Sequence, residues 1–410
     1  MRTTRWSRSL SVGAMLVAAA AVVAVAAEVA TAPAGAKEWS QWWGPNRDGI
    51  SAEAGWATDL TDRKPAWQLN VGTGYSAVSV SNGRVYTIGN ADGTDTVWCL
   101  DAATGKEVWK HSYKCPPAGA GHPGPRCTPA VADGAVYTLS AEGHFFCLDA
   151  DSGKVLWAKD ARKDLGASAG QWGLACSPLI LGKAVVVDVG TVVALDRRTG
   201  QLLWKSRQHK AGYSSPKPFR LNNKEMLAAF NGEGLMILDA ATGQELGGHP
   251  WKTAYDVNAS MPAVLEDKIF ITSGYGTGCA LVQITPGGLK ELWRNKEMAS
   301  HFASPVLVDG CLYGYDGQVG SGSLKCMDFQ TGQVKWSQKS AGSLMLADGK
   351  LILLETRGKL AVAEASPEAY KELGSTNLGR GTWWNMPVLS GGRIYCRSHE
   401  GQLVCVDVSK

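Results

Sequence analysis

The side chains that could do chemistry in this chain are aromatic rings and a few polar groups, placed just before the start of short apolar runs. Rings and polar groups around a funnel are what a small-molecule or peptide site requires, and they also fill the mouth of any ring-shaped fold. Ser214 and Phe302 stand beside two of the candidates. The candidates for ligand or partner binding are His122, Arg126, Gln171, Trp172, Tyr213, Asn258, His301, Trp383, Trp384 and Asn385.

No recognisable catalytic or metal-binding motif accompanies these residues. The sequence has no His-Glu-x-x-His motif, no phosphate-binding loop, no EF-hand spacing and no Cys-x-x-Cys pair. His122 and His301 are the histidines of the set, and a lone histidine is more often a structural residue than a base or a metal ligand. We therefore predict no catalytic residue, no metal site and no cofactor.

A repeated sequence motif, Leu-Asp-x-x-Thr-Gly-x-x-x-Trp, indicates the elements that position the candidates. It recurs with small changes at 100–109, 148–157, 195–204 and 327–336. Self-similarity with a period of about 40 to 45 residues is typical of stacked four-stranded propeller blades. The Asp and Gly favour a tight turn between the third and fourth strands of each blade.

A second phrase, a proline followed by alternating apolar residues and a turn, marks the first strands of most units. Pro129, Pro262, Pro305 and Pro387 open its clearest copies, and Asp-Gly or Gly-Gly pairs predict hairpins within them. Over residues 76–410 the units average about 42 residues, which is the length of a propeller blade. Eight units begin near Ser76, Cys127, Cys176, Ser214, Ser260, Ala303, Gly342 and Asn385.

The eighth unit ends before its outermost strand, and the pattern of residues 65–69 predicts that they supply this strand. Pairing the two ends of the chain would close the ring and protect its sheet edges. We therefore predict an all-β, eight-bladed β-propeller of four-stranded antiparallel blades over 65–410, closed by an N-terminal strand. Large rings are expected to pack between neighbouring blades at the repeat positions Trp67, Trp109, Trp157, Trp204, Trp293 and Trp336.

Two N-terminal segments precede the propeller. Residues 1–36 combine three arginines, an uncharged Ala/Val/Leu stretch and small residues at 34–36, which predicts a Sec-type signal peptide; an uncleaved membrane anchor is the alternative. Residues 37–64 are rich in aromatics, including Trp42 and Trp43, and would either plug one face of the propeller or form a partner patch. Packing is favoured, because exposed aromatic clusters are a solubility liability.

The predicted export and the net charge limit where the protein can act and which partners it can bind. We expect a periplasmic or secreted protein with no stable membrane insertion after signal removal. The formal net charge is +4 without a run of basic residues, so we expect no nucleic-acid partner. We further expect a monomer.

Ten cysteines in an exported chain suggest disulfides. If Glu400 and Gly401 formed a two-residue turn, residue 396 would stand opposite 405 on neighbouring strands. The alternative is free buried thiols, since several cysteines share one apolar column of the repeat. The disulfide candidates are Cys396 with Cys405, Cys115 with Cys127, and Cys311 with Cys326.

The repeated phrase resembles that of the pyrroloquinoline-quinone-like (PQQ-like) propellers, which include quinoprotein alcohol dehydrogenases and the BamB outer-membrane assembly proteins. The resemblance covers nearly all of 65–410. For a dehydrogenase it implies an adjacent Cys-Cys disulfide over the quinone and a calcium held by Glu, Asn and Asp; this sequence has no adjacent Cys pair and no set we could match. For a BamB-type protein, similar in length and blade count, it implies a non-catalytic periplasmic scaffold. That family is typically lipid-anchored, whereas this chain lacks the lipobox Cys.

Three functions remain open at this stage. The leading hypothesis is an exported, non-catalytic scaffold that binds a protein partner or a ligand through loops at one face, in cell-envelope assembly. The alternative is a PQQ-dependent alcohol or sugar oxidoreductase, with PQQ and calcium as cofactors. A third interpretation is a self-associating surface protein.

Overall fold

The structure is a computed structural model that describes Met1 and residues 38–116, 121–318 and 320–410. The signal-peptide prediction falls on residues outside that part, except for Met1. Residues 38–410 belong to one compact unit. Within the described residues, no helix is both long and apolar enough to cross a membrane.

The described residues form eight sheets, each built on four antiparallel strands and one of them extended by a short fifth strand, which confirms the eight-bladed propeller. In seven blades the strands follow each other in sequence order, as expected of a meander, and the eighth combines both ends of the chain. Several hairpins turn on an Asn-Gly or Asp-Gly pair in which both residues have positive φ, for example Asp133 (46°) with Gly134 (74°). Such turns match the right-handed twist of the flanking strands, so these dipeptides set the strand boundaries.

Blades 1 to 4 take up the first half of the ring. Between blades 2 and 3 the chain forms a short helix, Ala161–Asp164, and after blade 4 a 3₁₀ turn, Ala254–Asp256. The strands, from the channel outward, are Ser79–Ser81, Arg84–Ala91, Thr94–Asp101 and Glu107–Lys114 in blade 1; Ala130–Ala132, Ala135–Leu139, His144–Asp149 and Val155–Asp160 in blade 2; Leu179–Leu181, Ala184–Asp188, Val192–Asp196 and Leu202–Lys205 in blade 3; and Lys217–Leu221, Lys224–Asn231, Gly234–Asp239 and Glu245–Pro250 in blade 4.

Blades 5 to 8 complete the ring. A two-residue strand, Ile50–Ser51, adds in parallel to the inner strand of blade 7. The other strands are Ala263–Leu265, Lys268–Ser273, Gly278–Thr285 and Gly288–Asn295 in blade 5; Val306–Val308, Cys311–Asp316, Ser323–Asp328 and Val334–Lys339 in blade 6; Gly342–Ala347, Lys350–Glu355, Lys359–Glu364 and Glu372–Asn377 in blade 7; and Val388–Ser390, Arg393–Arg397, Gln402–Asp407 and Trp67–Asn70 in blade 8.

The ring closes where Trp67–Asn70 pairs antiparallel with the strand Gln402–Asp407, with Trp67 opposite Cys405. The buried Arg397 reinforces this seam, because its guanidinium donates to the carbonyls of Ser76 and Gly72 beside blade 1. Closure therefore uses both a strand pair and a buried cation bound by carbonyl oxygens.

The side chains of the repeat tryptophans pack against a turn of the next blade. The indole N–H of Trp109 donates to the carbonyl of Ala150 (2.8 Å), and the ring packs on Gly153 so closely that a Cβ there would lie 2.6 Å from it. Gly153 also has φ +71°, a conformation that disfavours any side chain. Trp67, Trp157 and Trp204 make the same N–H bond. Each of these four blades is thus fastened to the next through one ring and one glycine.

The segment after Glu38 lies across the central channel, deeper than the loops that lead into the inner strands. It contacts blades 1, 2, 3, 4, 7 and 8 in turn. Its backbone and side-chain bonds join Trp39 to Val80, Ser40 to Val131, Gln41 to Ile180, Asn46 to Lys217, Ile50 to Leu346 and Glu53 to Gly391. Trp39 and Trp43 are buried in this arrangement.

Arg47 anchors the segment. Its guanidinium is buried and donates to the carbonyls of Ser177, Pro178 and Pro216 on blades 3 and 4. Burial lowers the pKa of Arg47 to about 10, so the side chain stays charged at neutral pH. We call residues 38–57 the plug.

The disulfide predictions are not confirmed: all ten cysteines are free and buried in this structure, as in the alternative of free buried thiols. Cys396 faces Val404 and Cys405 faces Tyr395, one residue away from the expected register. A one-residue shift sends the two side chains to opposite faces of the sheet. The cause is the turn: Ser398 N–H bonds the carbonyl of Gln402, so three residues rather than two connect the strands.

The other two pairs fail for local reasons. Cys127 Sγ is engaged within its own blade, where it accepts from the backbone N–H of Leu139, and no bond joins it to Cys115. Cys311 faces Asp328 while Cys326 faces Tyr313, so these two cysteines are diagonal rather than directly opposed, and their thiols interact without a bond between them.

Candidate functional site

One end of the channel opens into a cavity of about 460 Å³, which we call the funnel. The loops that lead into the inner strands surround it, and Trp42 and Trp43 of the plug lie at its floor. Seven of the ten candidates line it: His122, Arg126, Trp172, Tyr213, His301, Trp384 and Asn385.

The other three candidates lie elsewhere. Asn258 is fully buried and its amide bonds the carbonyls of Asn231 and Trp251, so it holds a loop in place. Trp383 is also fully buried within the core. Gln171 is exposed and does not line the funnel.

A belt of aromatic rings surrounds the mouth of the funnel. Neighbouring rings in the belt have centroids 4.8 to 6.3 Å apart, and most pairs meet edge to face or tilted. Such contacts stabilise rings that are partly exposed to solvent. In order, the belt contains Tyr213, Trp172, Tyr255, Tyr275, His301, Phe302, Trp384, Tyr75 and His122.

Arg126 lies beside the belt and is the charged residue among the described lining residues. Its guanidinium donates to the carbonyls of Gly124 (2.9 Å) and His122 (2.6 Å), and its Cζ lies 5.2 Å from the ring of Tyr75. Desolvation lowers the pKa of Arg126 and raises that of Tyr75 to about 12. At neutral pH this corner therefore carries one positive charge and a neutral phenol.

The histidines of the belt have different surroundings. Tyr75 Oη lies 3.2 Å from Nδ1 of His122. His301 packs between Tyr275 and Phe302, and its Nδ1 has no hydrogen-bond partner in the described structure. Burial, together with the nearby His122, lowers the pKa of His301 to about 4, so this imidazole is neutral at pH 7.

Below the belt, side-chain hydroxyls link neighbouring blades. The backbone N–H of Thr128 donates to Ser177 Oγ (2.9 Å), that of Ser177 to Ser215 Oγ (2.9 Å), and that of Met261 to Ser304 Oγ (2.8 Å). Because these oxygens act as acceptors, each hydroxyl keeps a hydrogen to donate. Ser177, Ser215 and Ser304 all line the funnel.

Several lining residues were not among the candidates. Tyr275, Gln318 and the nearby His399 come from loops between second and third strands, which also reach this end of the channel. The unit that follows Tyr75 has another residue in place of the proline, so the repeat did not indicate that Tyr75 would line the funnel. The serines could have been found from the sequence, because Ser177, Ser215 and Ser304 each directly precede a proline.

The fold and the repeat phrase agree with a known protein family. The family described as outer membrane protein assembly factor BamB matches residues 93–338, more than half of the chain. The chain belongs to this family. It is thus a PQQ-like β-propeller.

Individual relatives of this BamB-family chain include both an assembly factor and enzymes. Quinoprotein alcohol dehydrogenase PedH of Pseudomonas putida is 30% identical over 202 residues, 46% of this chain and 31% of PedH. BamB of Burkholderia pseudomallei is 24% identical over 302 residues, 68% of this chain and 62% of that protein. The matches thus span less than two thirds of either relative.

The crystal structure of BamB from Moraxella catarrhalis superimposes with a TM-score of 0.62 at 14% identity, over 84% of this chain and 99% of that one. At this identity the superposition shows the shared fold alone.

The quinoprotein relatives raise the question of whether PQQ and calcium would fit the funnel. Calcium takes six to eight oxygen ligands, several of them carboxylates. Among the described residues, the funnel offers serine hydroxyls and the amides of Gln318 and Asn385, but no aspartate or glutamate. No group of three His, Cys, Asp or Glu in the described residues could hold a metal ion. This donor set does not fit calcium.

Proposed function

We propose that this BamB-family propeller is an exported, non-catalytic scaffold that binds through the loops of the funnel face in cell-envelope assembly. The observation that carries the proposal is the composition of the funnel: a belt of rings, hydroxyl and amide groups, and one cation without a carboxylate. Aromatic rings with few charges are what binding surfaces use, since they bury large areas at low entropic cost.

Among the described funnel residues, no nucleophile is paired with a base. Nucleophilic catalysis needs a hydroxyl or thiol within hydrogen-bond reach of a base. Among the described residues, no hydrogen bond joins a funnel histidine to a serine, and the funnel serines accept backbone N–H groups instead. His122 is held by Tyr75, and His301 packs between two rings. The funnel therefore supports binding better than turnover.

The location and the partner follow from the family and the sequence. A signal peptide over 1–36 would export the chain, and a BamB-type role would give it a protein partner in the envelope. Tyr255 is 64% exposed at the edge of the funnel and is the natural point of first contact.

Site-specific photocrosslinking tests this proposal. A photoreactive phenylalanine analogue at Tyr255 is expected to capture an envelope protein in intact cells. The control is the same analogue at Leu156, which is 56% exposed on the outer strand of blade 2. Crosslinks at 255 but not at 156 support binding through the funnel face; equal crosslinks at both, or none at 255, contradict it.

The second candidate is a quinoprotein oxidoreductase. The similarity to PedH favours it, whereas the absence of carboxylates from the described funnel lining speaks against calcium. It predicts dye reduction with an alcohol or a sugar after reconstitution with PQQ and calcium, and loss of that activity in Trp172→Ala or Trp384→Ala.

A further inference from the structure

We propose that the funnel binds a short acidic saccharide, whose sugar rings lie against the aromatic belt and whose carboxylate is held by Arg126. This inference rests on the proposed function, because it names the chemical class of ligand that the funnel face accepts. It does not require that the saccharide and a protein partner bind together.

The first support is the lack of an ion pair at Arg126. Among the described residues, no carboxylate lies within ion-pair distance of its guanidinium, although the side chain is partly buried. Two of its five N–H groups bond carbonyls, which leaves donors for a ligand. Six other arginines do have carboxylate partners: Arg84, Arg162, Arg197, Arg207, Arg294 and Arg393.

A partly buried cation without a counter-ion is costly to keep, so an anionic ligand would relieve that cost. Two further cations lie close to the floor of the funnel. Arg47 is fully buried against carbonyl oxygens, and Lys217 donates to the carbonyls of Asn46 and Arg47. Asp48 interacts electrostatically with Lys217, and burial raises the pKa of Asp48. Arg126 is therefore the cation that a ligand in the funnel would contact.

The second support is the geometry of the rings, which separates a sugar from a planar ligand. A flat aromatic ligand that is held between two rings needs two parallel faces about 7 Å apart, which is the sum of two van der Waals contacts. The near-parallel rings of the belt, Tyr75 with Trp384, are already 5.5 Å apart, and Tyr75 stacks on His399 at 4.4 Å. The remaining belt pairs meet at 41° or more, so the belt has no pair of parallel faces between which a flat ring would fit.

The third support is the spread of polar groups around the funnel. Hydroxyls come from blades 3, 4 and 6, and amides from Gln318 and Asn385 on blades 6 and 8. Groups distributed in this way suit a ligand with hydroxyls on all sides. The volume of about 460 Å³ lies within the range of roughly 300–1,000 Å³ for small-molecule sites, which accommodates one or two sugar rings.

Calorimetric titration of the full-length protein with digalacturonate and with its neutral counterpart, digalactose, tests the inference. We expect digalacturonate to bind at least about tenfold more tightly than digalactose, since a charge-assisted bidentate contact is lost in the neutral sugar. Arg126→Gln should remove that preference and leave the affinity for digalactose within about twofold. Arg380→Gln, an exposed arginine in the loop between blades 7 and 8, is the control and should change neither.

The outcomes separate this inference from the proposed function. Equal affinity for both sugars, or a preference that survives in Arg126→Gln, overturns the acidic-ligand assignment. Absence of binding by either sugar, while crosslinks still form at position 255, overturns the saccharide and leaves the scaffold. Absence of both sugar binding and crosslinks contradicts the two proposals together.

Discussion

The rim of the propeller and its funnel use the same kinds of residue for opposite purposes. At the rim, five tryptophans repeat one contact, an indole N–H donated to a carbonyl of the next blade at 2.8 to 3.2 Å. In the funnel, the position three residues before the proline or its replacement varies between blades, from Tyr75 to Arg126 to Phe302. Repetition therefore holds the ring together, and departure from it supplies the binding surface.

Replacing one tryptophan in each region should show this difference most strongly. Trp109→Ala removes a buried ring and its bond to Ala150, and we expect the free energy of unfolding to fall by about 4 kcal/mol. Trp172→Ala removes a ring that lines an open cavity and should cost less than about 1 kcal/mol. Urea denaturation measures both. Similar losses of stability would show that the funnel ring is a structural element.

A pair of glycines in blade 2 tests the closeness of the rim contact. Gly153→Ala would place a Cβ 2.6 Å from the ring of Trp109 at a φ of +71°, and we expect a loss of about 3 kcal/mol. Gly134→Ala has a similar φ, +74°, but no atom within 4 Å of the new Cβ. The control should lose only about 1 kcal/mol, the backbone term alone. Equal losses would mean that the ring moves aside.

The two regions should also respond differently to acid. The pKa of His301 is lowered from 6.5 to about 4, so between these values the unfolded chain binds a proton that the folded protein does not. Stability should therefore fall by about 2 kcal/mol as the pH drops from 6.5 to 4. In His301→Gln this contribution should vanish. An unchanged pH slope in that variant would place the titration elsewhere.

The smallest effect is expected at the turns of the rim. Asp101 accepts the N–H and the hydroxyl of Thr104, and these bonds lower the pKa of its carboxyl. The resulting stability is present above the unfolded pKa of about 3.9 and is lost as the pH falls through the folded value. Thr104→Val should cost less than about 1 kcal/mol at pH 7 and nothing at pH 2. A cost that persists in acid would contradict this origin.

The fold could be predicted almost entirely from the sequence, because each blade repeats the same turn and the same ring. The outer strand of blade 8 could be predicted equally well, because residues 65–69 match the strand that the eighth unit lacks. The turn at Glu400 and Gly401 could not be read in this way. Gly401 has φ +100°, which fits a three-residue connection, and the dipeptide alone does not show its length.

The funnel was predictable only in part. Position before a proline identified the loops, but it could not show which side chains face the channel, and Asn258 and Trp383 are buried instead. Tyr275 and Gln318 lie in loops that the repeat does not mark. Their arrival at the funnel depends on the length of each hairpin, which the apolar pattern leaves undefined.

The most direct test of a binding scaffold is a titration of the purified protein with PQQ in the presence of calcium, with a matched series in EDTA. Absorbance and the melting temperature are followed together. Our account predicts no calcium-dependent rise in the melting temperature and no dye reduction with an alcohol or a sugar. A ligand at about one hundred times its Kd would stabilise the fold by roughly 2.7 kcal/mol. A saturable, calcium-dependent shift of that size with dye reduction would contradict the account and identify an oxidoreductase.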